Sequence, residues 1–237
     1  MNFVLVHGAC HGGWCWEPVE KLLRSRGHEV YSPTLTGMGD RAHLLIPDIT
    51  AQTHIDDISN LIQIEGLNEV VLVGHSYAGL VIAGATESVA QQIKQLVFLD
   101  AYIPQNGKTG FEIIGEPFVT DWTQAADQYG DGWLNHADER SLDSWGVKDR
   151  HLRKMMLPKL TDFSINFLKA PIKLSEAFDH AEKTFIHCSE KTYCYDLMFP
   201  FYQYAKDNHW PTFVIETGHD PMLTKPQELV EILLSSS

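Results

Sequence analysis

The stretch Val70-Val71-Leu72-Val73-Gly74-His75-Ser76-Tyr77-Ala78-Gly79-Leu80-Val81-Ile82-Ala83-Gly84-Ala85 constrains this chain more than any other. It opens as an apolar β-branched run, the pattern of a strand buried on both faces. The run breaks at Gly74-His75-Ser76, then resumes in small and apolar residues that suit a tightly packed helix. A strand that feeds a helix through so short a turn leaves the turn's serine hydroxyl standing clear of the backbone. Ser76 is therefore a candidate nucleophile, and the chain must supply a base and an acid to activate it. The pattern has one deviation: Ala78 stands at the position where such turns carry glycine, and Gly79 follows one place later.

The rest of the chain repeats the alternation of strand and helix. Phe3 to Val6 reads as a short buried strand ending in His7-Gly8-Ala9-Cys10-His11-Gly12-Gly13, a loop whose three glycines point to close backbone approach. Trp14 to Arg26 reads as a helix with Trp16, Val19, Leu22 and Leu23 on one face and Gly27 at its C-terminal cap. Glu29-Val30-Tyr31 is a second strand. Thr53-His54-Ile55-Asp56 has the form of a capping box, opening a helix that buries Ile55, Ile58, Leu61 and Ile62 and closes at Gly66. Gln95 to Ala101 is the fourth strand. Such alternation predicts an α/β fold, a mostly parallel sheet with helices on both faces.

The alternation stops between about Pro104 and Glu182, where the pattern shows helical fragments rich in large side chains and no convincing strand. It returns at Lys183 to Cys188 and at Pro211 to Glu216. The expected organisation is one α/β core built from residues 1–104 and 183–237, carrying a helical cap insertion at 105–182.

Charge and cysteine usage narrow the function classes. With 18 basic against 31 acidic residues the net charge is −13, which repels phosphate backbones and anionic lipid and argues against nucleic acid and membrane partners. No basic segment precedes the first apolar run, and no run approaches the roughly 18 residues of a membrane span. The four cysteines, Cys10, Cys15, Cys188 and Cys194, do not resemble a disulfide framework, so reduced thiols and a cytoplasmic location are expected. His7, Cys10, His11 and Cys15 fit no standard zinc spacing. No metal and no cofactor are expected.

Ligands of parallel sheets gather beyond the carboxyl ends of the strands. In chain order those ends deliver His7 to Gly13, Ser76, Asp100, Glu190 and Gly218-His219-Asp220. A nucleophile, an acid and a base thus appear in the order Ser, acid, His.

Four segments carry a closer resemblance. They are Val6 to Trp16, the Ser76 turn, Val97-Phe98-Leu99-Asp100-Ala101-Tyr102-Ile103-Pro104, and Gly218-His219-Asp220-Pro221-Met222-Leu223-Thr224-Lys225-Pro226. Together they resemble the α/β-hydrolase branch of plant methylesterases, hydroxynitrile lyases and bacterial carboxylesterases. The loop Leu35 to Leu44 looks closer to the bacterial members, which include pyrethroid-ester hydrolases. The resemblance implies an α/β-hydrolase fold and a serine hydrolase of carboxylic esters with a hydrophobic acyl or alcohol part. Ser76 is then the nucleophile and His219 the base, while backbone N–H groups of Ala9 and Tyr77 form the oxyanion hole. The family places its acid just beyond the strand that here ends near Cys188, which favours Glu190, with Asp196 and Asp100 as alternatives. The hydroxynitrile lyases of this branch carry threonine where this chain has Gly8 and lysine where it has Asp220, so lyase chemistry is not expected. The expected partner is a small-molecule ester, and a homodimer is the assembly to consider. The competing readings are a ligand-binding, receptor-like module on the same scaffold, or a hydrolase of amide, lactone or carbon–carbon bonds.

Overall fold

The computed structural model describes residues 1–236. Its first half alternates β1 (Asn2–Val6), α1 (Glu17–Ser25), β2 (Glu29–Tyr31), α2 (Ala51–Ile64), β3 (Val70–His75), α3 (Ala78–Val89) and β4 (Ile93–Leu99). Short elements follow: α4 (Gly110–Ile114), α5 (Phe118–Tyr129), β5 (Leu134–Asn135), α6 (Glu139–Ser144), α7 (Arg150–Met156), β6 (Phe163–Ser164) and α8 (Glu176–His180). The long-element pattern resumes with β7 (Lys183–Cys188), α9 (Tyr193–Asp207), β8 (Thr212–Ile215), α10 (Pro221–Thr224) and α11 (Pro226–Ser235).

Six strands form one parallel sheet in the order β2-β1-β3-β4-β7-β8. Because strand side chains alternate between faces, the same apolar runs fill two separate cores. Val4, Val6, Leu72, Leu96, Phe98 and Phe185 meet residues of α2, α3 and α9 on one side. Phe3, Leu5, Val71, Val73, Val97, Leu99 and Ile186 meet α1 and α11 on the other, through Val19, Leu23, Leu229, Val230 and Leu233. Every residue of β3 is buried, and burying each aliphatic side chain is worth about 1.5–3 kcal/mol. The strand that leads into Ser76 is therefore firmly held, between β1 and β4 in the sheet's interior.

Several boundaries differ from the sequence expectation. The first helix begins as a 3-10 turn, Gly13–Trp16, before α1 takes over with Pro18 near its start. The second helix starts at Ala51 with Thr50 as its cap, and Thr50 N–H donates to Thr53 Oγ1 at 3.5 Å. Thr53 is thus inside the helix; two threonines three apart make either a plausible cap, and the burial of Ala51 and His54 decides for the earlier one. Strand β4 ends at Leu99, which leaves Asp100 just past the sheet. Within 105–182, β5 and β6 pair antiparallel through two residues each, too short to register as a period-2 pattern. Among the described residues, no helix is long and apolar enough to cross a membrane.

Candidate active site

Ser76 sits between β3 and α3 with φ of +57°, in the left-handed region that L-residues seldom adopt. The surroundings hold it there. Its N–H donates to the Leu99 carbonyl at 3.2 Å, and its own carbonyl accepts from the N–H groups of Gly79 and Tyr102, each at 3.1 Å. A Cβ on Gly79 would lie 2.0 Å from the Tyr102 carbonyl oxygen, so the glycine is needed there, while Ala78 packs fully buried. The deviation noted in the sequence is a glycine moved one place to where α3 meets the loop after β4. A Cβ on Gly8 would lie 2.8 Å from Ser76 Cβ and 2.9 Å from His75 Nδ1, so a threonine there would displace the serine turn.

His219 follows β8 and is fixed at three points. Its N–H donates to the Trp145 carbonyl at 2.7 Å, and its carbonyl accepts from His75 Nε2 at 2.8 Å. Its ring Nδ1 donates to Asp100 Oδ2 at 2.7 Å, which fixes the tautomer and leaves Nε2 as the basic nitrogen. His75, behind it, is pushed well below the ordinary histidine pKa by burial and by His219, so it serves as a neutral donor.

Asp100 is 1% exposed and also has positive φ, +42°. Its Oδ1 accepts from His187 Nδ1 and from the Cys188 N–H, both at 3.1 Å. Burial pushes its carboxyl pKa up, but the hydrogen bonds from His187 and His219 outweigh burial and leave it below the usual carboxylate value. The carboxylate is thus held ionised against His219.

The structure does not bring Glu190 to His219. Glu190 forms an ion pair with Lys148, and its side chain is 27% exposed. Its N–H is tied to the Thr217 carbonyl at 3.1 Å. Asp196 lies exposed in the first turn of α9. The acid next to His219 is Asp100, the residue at the end of β4 that the sequence ranked behind Glu190. Its signal was its place directly after an apolar strand adjacent to the serine's own strand.

Ala9 and Tyr77 both line the cavity beside Ser76, and neither backbone N–H donates to another backbone carbonyl among the described residues. Two buried histidines brace them. His7 Nε2 accepts from the Leu35 N–H at 3.0 Å, so its Nδ1 carries the proton and donates to the Gly8 carbonyl at 2.8 Å. That carbonyl belongs to the peptide whose N–H is Ala9's. His54 Nε2 donates to the Thr36 carbonyl at 2.8 Å, and its Nδ1 accepts from the Tyr77 hydroxyl at 2.9 Å. Burial lowers the pKa of His7 to about 3 and that of His54 to about 4, so both are neutral. Among the described residues no group of three or more His, Cys, Asp or Glu side chains is arranged to hold a metal ion.

Ala9, Ser76, Tyr77 and His219 meet at a cavity of about 520 Å³. Its walls come largely from the segment between β4 and β7, with Trp122, Tyr129, Trp145 and Phe163, joined by Tyr193, Leu197 and Met198 of α9. Other large side chains of that segment are core: Phe167 is fully buried against His54, and Met156 packs with Leu142 and Val147.

Residues 3–232 match the Alpha/beta hydrolase family. The chain belongs to this family. Among curated relatives, the carbendazim hydrolyzing esterase of Nocardioides sp. (strain SG-4G) is 52% identical over 106 residues, which span 45% of this chain and 44% of that protein. Methylesterase 1 of Arabidopsis thaliana is 30% identical, covering 98% of this chain and 94% of the relative. Among solved structures, this α/β-hydrolase is similar to an extracellular α/β-hydrolase from a Paenibacillus species described as sharing homology with tobacco salicylic acid binding protein 2. The TM-score is 0.88 at 20% identity, covering 100% of this chain and 99% of that one. The resemblance to the plant methylesterase thus holds over nearly the whole chain, and that to the bacterial esterase over less than half of it.

Proposed function

We propose that this α/β-hydrolase is a carboxylesterase-like serine hydrolase in which Ser76, His219 and Asp100 form the triad. The observation that carries this reading is the 2.7 Å hydrogen bond from His219 Nδ1 to the buried Asp100. With Nδ1 so occupied, Nε2 accepts the Ser76 proton as Oγ attacks the ester carbonyl. The carbonyl oxygen becomes an oxyanion and is received by the N–H groups of Ala9 and Tyr77. As the tetrahedral carbon collapses, the alkoxide takes the proton from His219 and leaves as the alcohol, and Ser76 is acylated. Water then attacks the acyl carbon, gives one proton to His219, and the acid departs as that proton returns to Ser76 Oγ. Asp100 stays ionised and stabilises the imidazolium in both halves.

The aromatic walls of the cavity support an ester with a hydrophobic acyl or alcohol part. Relatives named a carbendazim hydrolyzing esterase and a methylesterase support hydrolysis of the ester bond over lyase chemistry. Four cysteines, all free and buried, support a cytoplasmic setting.

The test is turnover of short-chain p-nitrophenyl esters by the wild type and by Ser76→Ala. The expected result is steady hydrolysis by the wild type with an acyl-enzyme on Ser76 detectable by mass spectrometry, and a loss of about 10⁶-fold in kcat in the variant. Equal rates for the two proteins would sink the mechanism.

A further inference from the structure

His11 and Asp220 lie in the first loop and directly after His219, and neither holds a reacting atom in the mechanism above. Both are buried, 1% and 0% exposed. His11 Nδ1 lies 2.8 Å from the Ala9 carbonyl; a carbonyl only accepts, so the proton on Nδ1 is committed. His11 Nε2 faces Asp220 Oδ1 at 3.4 Å. Among the described residues, neither Nε2 nor either Asp220 oxygen has any hydrogen-bond partner. A bare carboxylate facing an imidazole lone pair in a dry site would suffer both desolvation and lone-pair repulsion. One proton between them removes both penalties, whether the pair is imidazolium and carboxylate or imidazole and carboxylic acid. The contact is longer than the roughly 2.7–2.9 Å of a closed charge-assisted bond, so the pair must shorten by about half an ångström.

We propose that His11 and Asp220 are a positioning pair that shares one proton and locks the oxyanion-hole loop to the loop of His219. The proposal rests on the reading of Ala9 and His219 as parts of a hydrolytic site. The two loops come from opposite ends of the chain, and the reaction needs the Ala9 N–H and His219 Nε2 at a fixed separation. His11 grips the peptide that follows Ala9 with one nitrogen and the residue that follows His219 with the other. Its ring is confined by Trp14, stacked at 5.5 Å, and by Trp145 at 4.9 Å, so a pull on either end moves the whole unit.

The test separates a tether from mere filling. Asp220→Val removes both carboxylate oxygens and with them the bond. Asp220→Asn keeps a donor for His11 Nε2. His11→Asn keeps the bond to the Ala9 carbonyl but does not reach Asp220. Steady-state kinetics with a p-nitrophenyl ester should show Asp220→Val and His11→Asn each lowering kcat by about 10–100-fold with KM little changed. Asp220→Asn should restore most of the rate, and His11→Asn/Asp220→Val should be no worse than either single variant. Equal rates for Asp220→Val and Asp220→Asn, or additive losses in the double variant, would overturn the tether. A second readout does not depend on turnover: ¹⁵N NMR of the histidine rings. The His11 ring N–H should exchange slowly in the wild type and in Asp220→Asn and rapidly in Asp220→Val. Identical exchange in wild type and Asp220→Val would overturn the proposal, and this holds even if the wild type hydrolyses no ester.

Discussion

Strands β4 and β7 lie side by side, and each delivers a carboxylate just beyond its end, yet the two side chains meet opposite surroundings. Asp100 is buried and receives three hydrogen bonds, from His219, His187 and the Cys188 N–H. Glu190 is partly exposed and pairs with Lys148, itself mostly in solvent. The difference lies in depth: Asp100 leaves the sheet where the backbone turns sharply into the left-handed region, which sends its side chain across the end of β7. Glu190 is two residues past its strand, with its backbone tied to Thr217, and its carboxylate is at the surface. A carboxylate that must stabilise an imidazolium is worth most where water cannot compete, so the deeper of the two is the one suited to the work.

The largest expected effect breaks this comparison outright. Asp100→Asn should lower kcat by about 10⁴-fold, because the amide leaves His219 in the wrong tautomer and without a counter-charge. Glu190→Gln should leave kcat close to the wild type. Both are read from ester turnover, with circular dichroism to show that each variant is folded. A large loss for Glu190→Gln and a small one for Asp100→Asn would return the role to Glu190.

The same contrast explains what was legible in the sequence. The strands of the core were, because a parallel sheet buried on both faces demands unbroken apolar runs, as in Val70 to Val73 and Phe3 to Val6. Ser76 and His219 stood out because each follows such a run at a turn. Asp100 and Glu190 do so equally well, and linear spacing carries no information about which carboxylate points inward. That is decided by the positive φ of Asp100 and by the His187 and Cys188 donors waiting on the neighbouring strand, which are tertiary facts. In the segment between β4 and β7 the elements are short. α4, α6 and α8 have only five or six residues, which is too few for a periodicity to separate wall from core. Phe163 and Phe167 therefore look alike in sequence, although one lines the cavity and the other is core.

The second prediction sharpens the comparison through pH, between the buried histidines beside the sheet ends and an exposed one in the intervening segment. His7 and His54 have folded pKa values lowered to about 3 and about 4 by burial, whereas an unfolded histidine titrates near 6.5. As pH falls below about 6.5 the unfolded chain gains protons that the folded chain refuses. Each histidine then costs about 1.4 kcal/mol of stability per pH unit, until its folded pKa is reached. His136 is opposite in sign: the hydrogen bond with Asp162, then that with the Tyr129 carbonyl, raise its pKa. Its contribution is present below about pH 6.5 and is lost as pH rises through the raised value, and it is small because His136 and Asp162 are 46% and 39% exposed. Urea unfolding from pH 7 to pH 5 should show a steep fall in the wild type and in His136→Gln. His54→Gln, which can still accept from the Tyr77 hydroxyl and donate to the Thr36 carbonyl, should flatten it. A slope unchanged in His54→Gln would mean that the buried site takes up the proton after all.

The smallest effect tests whether the Glu190 end is as loosely built as its exposure implies. The Lys148 side chain is 79% exposed, so its attraction to Glu190 acts through water-like dielectric and is offset by the entropy of holding a long side chain still. Lys148→Met should therefore change unfolding free energy by no more than about 1 kcal/mol, and less as salt is raised, since the pair is open to screening. It should leave kcat unchanged, because among the described residues no hydrogen bond leads from Glu190 to His219. Chemical denaturation at low and high salt, with ester turnover on the same preparations, checks both parts. A loss of turnover without a loss of stability would show that the Lys148–Glu190 pair bears on the site, and it would put the two strand ends on an equal footing.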